Sequence, residues 1–188
     1  MSPGRVRVFL ARSIVLGVIA IACHRHATEE RPIRDDSIPV FFRDTAPAAV
    51  FNSPGRTFNL QTAAERESLR ATIRRERELW RSARPRDYRY LLRVACFCPG
   101  TRGWLLMDVR TGQPLRAWDR TGRSAALTDW NTLSIDALYD NLERWFDRNS
   151  EVQIAFDPRM HFPSYIRTSM RMPDSWSVTE ARALRPLR

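Results

Sequence analysis

Apolar residues recur along the chain with two different periods, and each period predicts one type of element. After Thr62 they recur at helical spacing, and Thr62 with Glu65 forms the capping box TAAE that begins a helix. Pro85 cannot continue a helix, so the first helix is predicted to end just before it. A second helix is predicted from the N-cap Ser134, over three turns of apolar positions. These positions are Ile135, Leu138, Tyr139, Leu142, Trp145 and Phe146.

Alternation of apolar and polar residues predicts strands on both sides of the second helix. It holds over residues 88–98, and residues 103–119 are predicted to form two strands joined by the turn RTGQ. Residues 152–156 and 163–170 supply two more elements, and residues 178–184 form a terminal strand or a short helix. The connections within each group are short, which favours antiparallel pairing.

The order of these elements predicts an α+β fold. It runs helix, three strands, helix and two further strands, with the last segment left open. We expect a two-layer domain in which an antiparallel sheet of about five strands carries the helices on one face. A chain of 188 residues has room for one such domain, which we place at residues 62–188. The long connection at residues 119–132 has no pattern and is the functional loop by default.

The first 22 residues have the composition of an export signal. Arg5, Arg7 and Arg12 make a positive start, residues 14–22 are an uncharged apolar run, and small residues precede Cys23. This run of nine residues is too short to cross a hydrocarbon core of about 30 Å as a helix. The sequence AIAC resembles a bacterial lipobox, in which Cys23 becomes the lipidated first residue of the mature protein. An ordinary signal peptide and an uncleaved anchor are the alternatives.

A lipid on Cys23 would anchor the protein to a membrane outside the cytoplasm through its acyl chains. Either the outer or the cytoplasmic membrane agrees with this pattern. Residues 23–61 would then be a tether, because prolines are spread through them. Its apolar residues are expected to pack on the domain or, alternatively, to bind a partner. These residues are Val40, Phe41, Phe42, Val50, Phe51 and Phe58.

The net charge of +10 resembles that of a nucleic-acid-binding protein, but the distribution of charge does not. All 31 basic residues are arginine, and the 21 acidic residues are interleaved with them. The sequence contains no basic stripe that alternates with aromatic residues, as a nucleic-acid platform needs. We therefore predict no nucleic-acid partner. Arg89 and Arg93 are expected on a solvated sheet face, with binding of an anionic ligand as the alternative.

Cys96 and Cys98 lie one residue apart at the end of the first predicted strand. On a regular strand their Cα atoms would be about 6.5–7 Å apart, at the upper edge of disulfide geometry, so a small bend would allow a bridge. Because lipidation consumes Cys23 and the compartment is oxidising, we predict an intrachain disulfide between them. A redox pair, a metal site and two free thiols are the alternatives. The histidines available to a metal site are His24, His26 and His161. We predict neither a metal nor a cofactor.

Several motifs follow one another in order along the predicted domain. They are a Tyr-x-Tyr strand, a Cys-Phe-Cys motif, and an Asp-Pro turn followed by an aromatic-Pro pair. Their residues include Trp80, Tyr88, Tyr90, Cys96, Phe97, Cys98, Asp157, Pro158, Phe162, Pro163 and Asp174. With these motifs the chain resembles, over roughly residues 76–182, a bacterial family catalogued as domain of unknown function 6174.

That resemblance implies a secreted protein or lipoprotein, and it implies no activity. It marks six family-motif residues as candidate site residues: Tyr88, Tyr90, Asp157, Pro158, Pro163 and Asp174. His161 is a departure, because the family pattern tends to have glycine at this position.

Asp157, His161 and Ser164 lie within eight residues of one another and suggest a hydrolase. However, Asp157 before a proline is first a turn residue, and the sequence has no Gly-x-Ser-x-Gly elbow. We predict no catalytic residues. The favoured hypothesis is a membrane-anchored envelope lipoprotein whose non-catalytic domain binds an envelope protein or another envelope component, or has a structural role. The alternative is a small extracytoplasmic redox or hydrolytic enzyme that uses Cys96 and Cys98, or the segment from Asp157 to His161.

Overall fold

A computed structural model describes residue 42 and residues 55–96, 103–128, 132–144, 146, 148–170 and 175–187. The signal segment, Cys23, most of the predicted tether, Cys98 and Asp174 lie outside these residues. The described part contains two helices and seven strands. In chain order they are β1 (Arg56–Asn59), α1 (Ala63–Ala83), β2 (Tyr88–Cys96), β3 (Leu105–Arg110), β4 (Gln113–Trp118), α2 (Ile135–Arg144), β5 (Asn149–Phe156), β6 (Pro163–Met170) and β7 (Trp176–Pro186).

The seven strands form one antiparallel sheet in the order β1-β5-β6-β7-β2-β3-β4. The expected α+β fold, a two-layer domain with an antiparallel sheet of about five strands, is therefore wrong, because the described fold is mostly a sheet of seven strands. β1 comes from the stretch assigned to the tether, and its four residues are too few to display a period. Residues 178–184, which were predicted to form either a strand or a short helix, belong to β7. This strand lies between β6 and β2 in the sheet. Its alternation is hidden because polar Thr179 and Glu180 are buried in it.

Both helices pack their apolar stripes into one core on the first face of the sheet. α1 begins as expected, because the Thr62 hydroxyl oxygen accepts the N–H of Glu65 at 3.3 Å. It ends at Ala83, after which the N–H of Arg84 donates to the carbonyl of Trp80 at 2.7 Å. Across the described residues, neither helix is long and apolar enough to cross a membrane.

Alternate strand residues point to the opposite side of the sheet, which we call the second face. Leu91, Leu106 and Trp118 are buried there in a separate apolar cluster. Phe42 joins this cluster and is only 7% exposed, although it precedes β1 in the chain. Phe42 therefore packs on the domain, whereas the assignment of residues 23–61 as a tether stays a prediction.

Candidate functional site

The second face holds two buried carboxylates, and the first of them is Asp108 on β3. The Nε of Arg89 lies 3.3 Å from its Oδ2, and the Nε of Arg110 lies 2.8 Å from its Oδ1. The register of β2 and β3 places Arg89 opposite Asp108, and Arg110 is two residues further along β3. The Arg89 guanidinium also lies 5.5 Å from the ring centroid of Trp118. The ion pair and the cation–π contact together restrict this side chain.

The second buried carboxylate is Glu180 on β7, which is 2% exposed. Arg93 lies opposite Glu180 in the register of β2 and β7 and forms an ion pair with it. Nη2 of Arg182 donates to its Oε1 at 2.8 Å. Both guanidiniums lie over Trp104, at 5.1 and 5.3 Å from the ring centroid. A carboxylate without partners would be strongly unfavourable at this burial, so the pairing holds Arg93 and Arg182 in place.

A row of charged residues crosses four strands at one end of the second face. In register order it consists of Arg116 on β4, Asp108 on β3, Arg89 on β2 and Arg185 on β7, and we call it the arginine row. Arg116 and Arg185 are exposed, whereas Asp108 is buried. Arg89 and Arg185 lie directly opposite each other in the register of β2 and β7. The row is a positively charged surface built over one buried carboxylate.

The apolar cluster around Phe42 lies beside the arginine row. Leu91, Leu106 and Trp118 are each two residues from a member of the row on the same strand, and thus on the same face. Because Phe42 packs in this cluster, it also lies next to the row.

The predicted family-motif residues Tyr88 and Tyr90 lie in the core of the first face. The Tyr88 hydroxyl accepts the N–H of Ile135 at 3.1 Å, and the Tyr90 hydroxyl donates to the carbonyl of Leu133. Burial raises the pKa of both hydroxyls above the usual value. Both tyrosines of the Tyr-x-Tyr motif are therefore hydrogen-bonded to the backbone at the start of α2.

Asp157 and Pro158 form the turn between β5 and β6. Oδ1 of Asp157 accepts the backbone N–H groups of Arg159 and Met160 at 2.9 and 2.8 Å. Pro163 follows as the buried first residue of β6. These motif residues therefore shape the β5–β6 connection.

His161 closes the same turn with a φ of 60°, a conformation that favours glycine. Its Nδ1 lies 2.9 Å from Oε2 of Glu76 on α1, and the hydroxyl of Tyr139 donates to its carbonyl. The imidazole of His161 and the carboxylate of Asp157 thus contact different groups, so the structure does not assemble them into a catalytic pair.

Cys96 is the last residue of β2 and lies opposite Ser177 on β7. Its pairing with Cys98 stays a prediction, because Cys98 is outside the described residues. Within the described ranges, no three His, Cys, Asp or Glu side chains lie close enough together to hold a metal ion.

The predicted functional loop begins with a turn closed by Asp119. Its Oδ1 accepts the N–H and hydroxyl of Thr121 at 2.8 and 2.6 Å, and the N–H of Arg123 at 3.1 Å. Burial opposes ionisation of Asp119, but these hydrogen bonds outweigh it and lower its pKa. Further along, Leu127 and Thr128 line a cleft of about 450 Å³ against α2. The described part of the loop therefore contacts the side of the domain formed by β4 and α2.

A known family model covers much of this domain. The model, described as a family of unknown function (DUF6174), matches residues 72–172, which is more than half of the chain. The chain belongs to this family. The DUF6174 match begins within α1 and ends after β6, so it includes both motif tyrosines and Asp108 but not Glu180. No curated protein matches the chain.

The arginine–carboxylate pairs were missed by sequence reasoning, which placed Arg89 and Arg93 on a solvated face. A signal for them exists in the spacing of Glu180 and Arg182, which lie two residues apart, as do Asp108 and Arg110. On a strand this spacing puts an acid and a base on the same face. Reading it requires knowing that residues 176–186 form a strand and which strands lie beside it.

Proposed function

We propose that this DUF6174 protein is an exported lipoprotein, held at a membrane of the cell envelope through Cys23, whose non-catalytic domain binds another envelope component. The export and anchoring parts rest on the arginines, apolar run and small residues that precede Cys23. The binding part rests on the second face of the sheet.

The observation that carries the binding role is the arrangement of arginines and tryptophans over buried carboxylates. Asp108 forms ion pairs with Arg89 and Arg110, and Glu180 forms ion pairs with Arg93 and Arg182. Trp118 lies against the guanidinium of Arg89, and Trp104 lies against those of Arg93 and Arg182. Side chains that are ordered before binding lose less conformational entropy when a partner arrives. Arginine and tryptophan are also the residues that most often dominate binding energy at protein interfaces.

The groups considered for hydrolysis have other contacts, which favours a non-catalytic role. The carboxylate of Asp157 accepts two backbone N–H groups, and the His161 ring contacts Glu76. A hydrolytic site needs a base within hydrogen-bond reach of a nucleophile and a third group that orients the base. Among the described residues, Asp157 and His161 are not arranged in this way.

Mass spectrometry of the mature protein tests the anchor. We expect an acylated Cys23 at its N-terminus and a mass that fits a disulfide between Cys96 and Cys98. The Cys23→Ala variant should move from the membrane fraction to the soluble fraction, whereas His24→Ala should stay with the membrane. Retention of Cys23→Ala in the membrane fraction would contradict lipid anchoring.

Photo-crosslinking in intact cells tests the binding surface. A crosslinking residue at Arg167, which is exposed on the second face, should give adducts with an envelope component. The same residue at Arg81, which is exposed on α1, is the matched control. Adducts from position 81 alone would move the binding surface to the helices and refute the proposal.

A further inference from the structure

A cavity of about 360 Å³ lies where the end of α1 and the start of β2 meet the β3–β4 turn and the start of α2. Binding sites for small molecules begin at about this volume. The side chains around it are mostly charged or polar. Its lining includes Arg81, Arg84, Arg86, Tyr88, Gly112 and Asp136. The cavity therefore has the size and polarity of a site for a small hydrophilic molecule.

The β3–β4 turn is held in place as one wall of this cavity. Thr111 and Gly112 have φ values of 48° and 80°, the left-handed conformation that tight hairpin turns use. The N–H of Thr111 donates to Oδ1 of Asp87 at 2.9 Å, which ties the turn to the start of β2. Asp87 also lies 3.8 Å from Arg110, so the charge of Asp87 is offset outside the cavity lining.

The opposite wall joins the end of α1 to the start of α2. Nη1 of Arg84 donates to Oδ2 of Asp136 at 2.6 Å, and this ion pair orients both side chains. Tyr88 is buried in the lining, and its hydroxyl oxygen accepts the N–H of Ile135 at 3.1 Å. This bond uses a lone pair of the oxygen, so the hydroxyl still has a proton to donate.

Positive charge dominates the lining. Within the part of the chain that the structure describes, the guanidiniums of Arg81 and Arg86 have no carboxylate within ion-pair distance, and both residues are exposed. Arg84 is paired with Asp136. Three arginines and one carboxylate leave the cavity with a net charge of +2.

A phosphate monoester matches this charge and this geometry. A guanidinium presents a planar fork of N–H donors that can bind phosphate oxygens in pairs. A phosphate monoester concentrates between about −1.5 and −2 charges in one group at pH 7, whereas a dicarboxylate divides its charge between two groups. Three guanidiniums that line one small cavity favour the concentrated charge. The phosphate group fills only part of the volume, so the remainder can hold the alcohol portion of an ester.

We propose that this cavity binds a small phosphate ester, with Arg81, Arg84 and Arg86 around its phosphate group and Asp136 accepting from its hydroxyl groups. The site lies apart from the second face, because Tyr88 belongs to the core of the first face. The inference goes beyond the proposed function, since the ligand is a small molecule rather than an envelope component. Crosslinking from the second face tests only the envelope component, so the two proposals can fail separately.

Isothermal titration calorimetry of the full-length protein in neutral detergent micelles tests this site. The probes are glycerol phosphate, inorganic phosphate, succinate and glycerol. We expect glycerol phosphate to bind more tightly than the other three, with an affinity that falls as salt screens the exposed guanidiniums. Arg81→Gln and Arg86→Gln should each weaken its binding about ten-fold, because each removes a charged donor to the phosphate.

Arg120→Gln and Arg148→Gln are the matched controls, because they remove the same charge from exposed positions at the opposite end of the sheet. Each should change the affinity less than about two-fold. Equal losses in these controls, or no binding of glycerol phosphate, would overturn the proposal. Inorganic phosphate or succinate that binds as tightly as glycerol phosphate would overturn the assignment to a phosphate ester. Thermal unfolding verifies that each variant folds, and either cavity variant suffices if the other does not.

Discussion

The hydroxyl of Tyr88 accepts a hydrogen bond of 3.1 Å from the backbone N–H of Ile135, the first residue of α2. Tyr90, two residues along the same strand, donates to the carbonyl of Leu133. The N-cap Ser134 lies between these two bonds and accepts the N–H of Ala137 at 3.2 Å. Helix N-termini leave backbone N–H groups without partners inside the helix. The two tyrosines therefore join β2 to the start of α2 on both sides of its cap.

The Tyr88→Phe variant should be less stable by about 1–2 kcal/mol, because the buried N–H of Ile135 loses its acceptor. Urea unfolding followed by circular dichroism measures this change. Tyr165→Phe is the matched control, since Tyr165 is buried on the second face, away from α2. Equal losses in the two variants would mean that the bond to Ile135 does not stabilise the helix start.

High pH should destabilise the protein more steeply than its composition suggests. Burial raises the pKa of Tyr88, Tyr90 and Tyr139 above the usual value. Above about pH 10 the unfolded chain loses these three protons while the folded chain keeps them, so stability falls as pH rises. The slope is up to about 1.4 kcal/mol per pH unit for each tyrosine. The chain has no lysine, so few other groups titrate in this range.

Urea unfolding between pH 9 and pH 11.5, at constant ionic strength, measures that slope. Tyr139→Phe should lower it by about a third, because one of the three titrating hydroxyls is removed. A free energy of unfolding that stays constant from pH 10 to pH 11.5 would contradict the prediction.

Both helices could be predicted from the sequence, as could β3 and β4 on either side of the RTGQ turn. In each of these elements the apolar residues keep one period. Thr62 begins α1 as its capping box indicates, and Ser134 caps α2. β7 could not be assigned because its buried residues include Glu180, whose partner Arg93 is far away in sequence. A period of apolar residues carries no information on such cross-strand pairs. For the same reason the arginine row on the second face could not be predicted from the sequence.

Glu180→Ala should cost about 3–5 kcal/mol, because it leaves Arg93 and Arg182 close together without their buried carboxylate. Chemical denaturation measures this loss. Glu67→Ala is the matched control: the Glu67–Arg74 pair on α1 has side chains that are both 62% exposed. Exposed pairs of this kind contribute less than about 1 kcal/mol. A loss no larger than that of Glu67→Ala would show that the Glu180 cluster does not stabilise the sheet.

We expect the backbone of His161 to be strained, and two substitutions that shorten its side chain test this. Both His161→Ala and His161→Gly remove the contact with Glu76, but only glycine adopts a φ of 60° without a steric penalty. We expect the glycine variant to be more stable than the alanine variant by about 1 kcal/mol. Thermal unfolding of the two proteins measures the difference, and an alanine variant of equal or higher stability would rule out strain at this position.

Phe42→Ala should uncover the apolar cluster on the second face. Burial of a phenylalanine side chain contributes about 2–3 kcal/mol, and part of that stabilisation comes from contact with the cluster that contains Trp118. Trp118 is 3% exposed, so tryptophan emission should shift to longer wavelength as water reaches it. Leu115→Ala, at a position that is 54% exposed, should leave both stability and emission within experimental error. Unchanged emission in Phe42→Ala would mean that Phe42 does not cover Trp118 in solution.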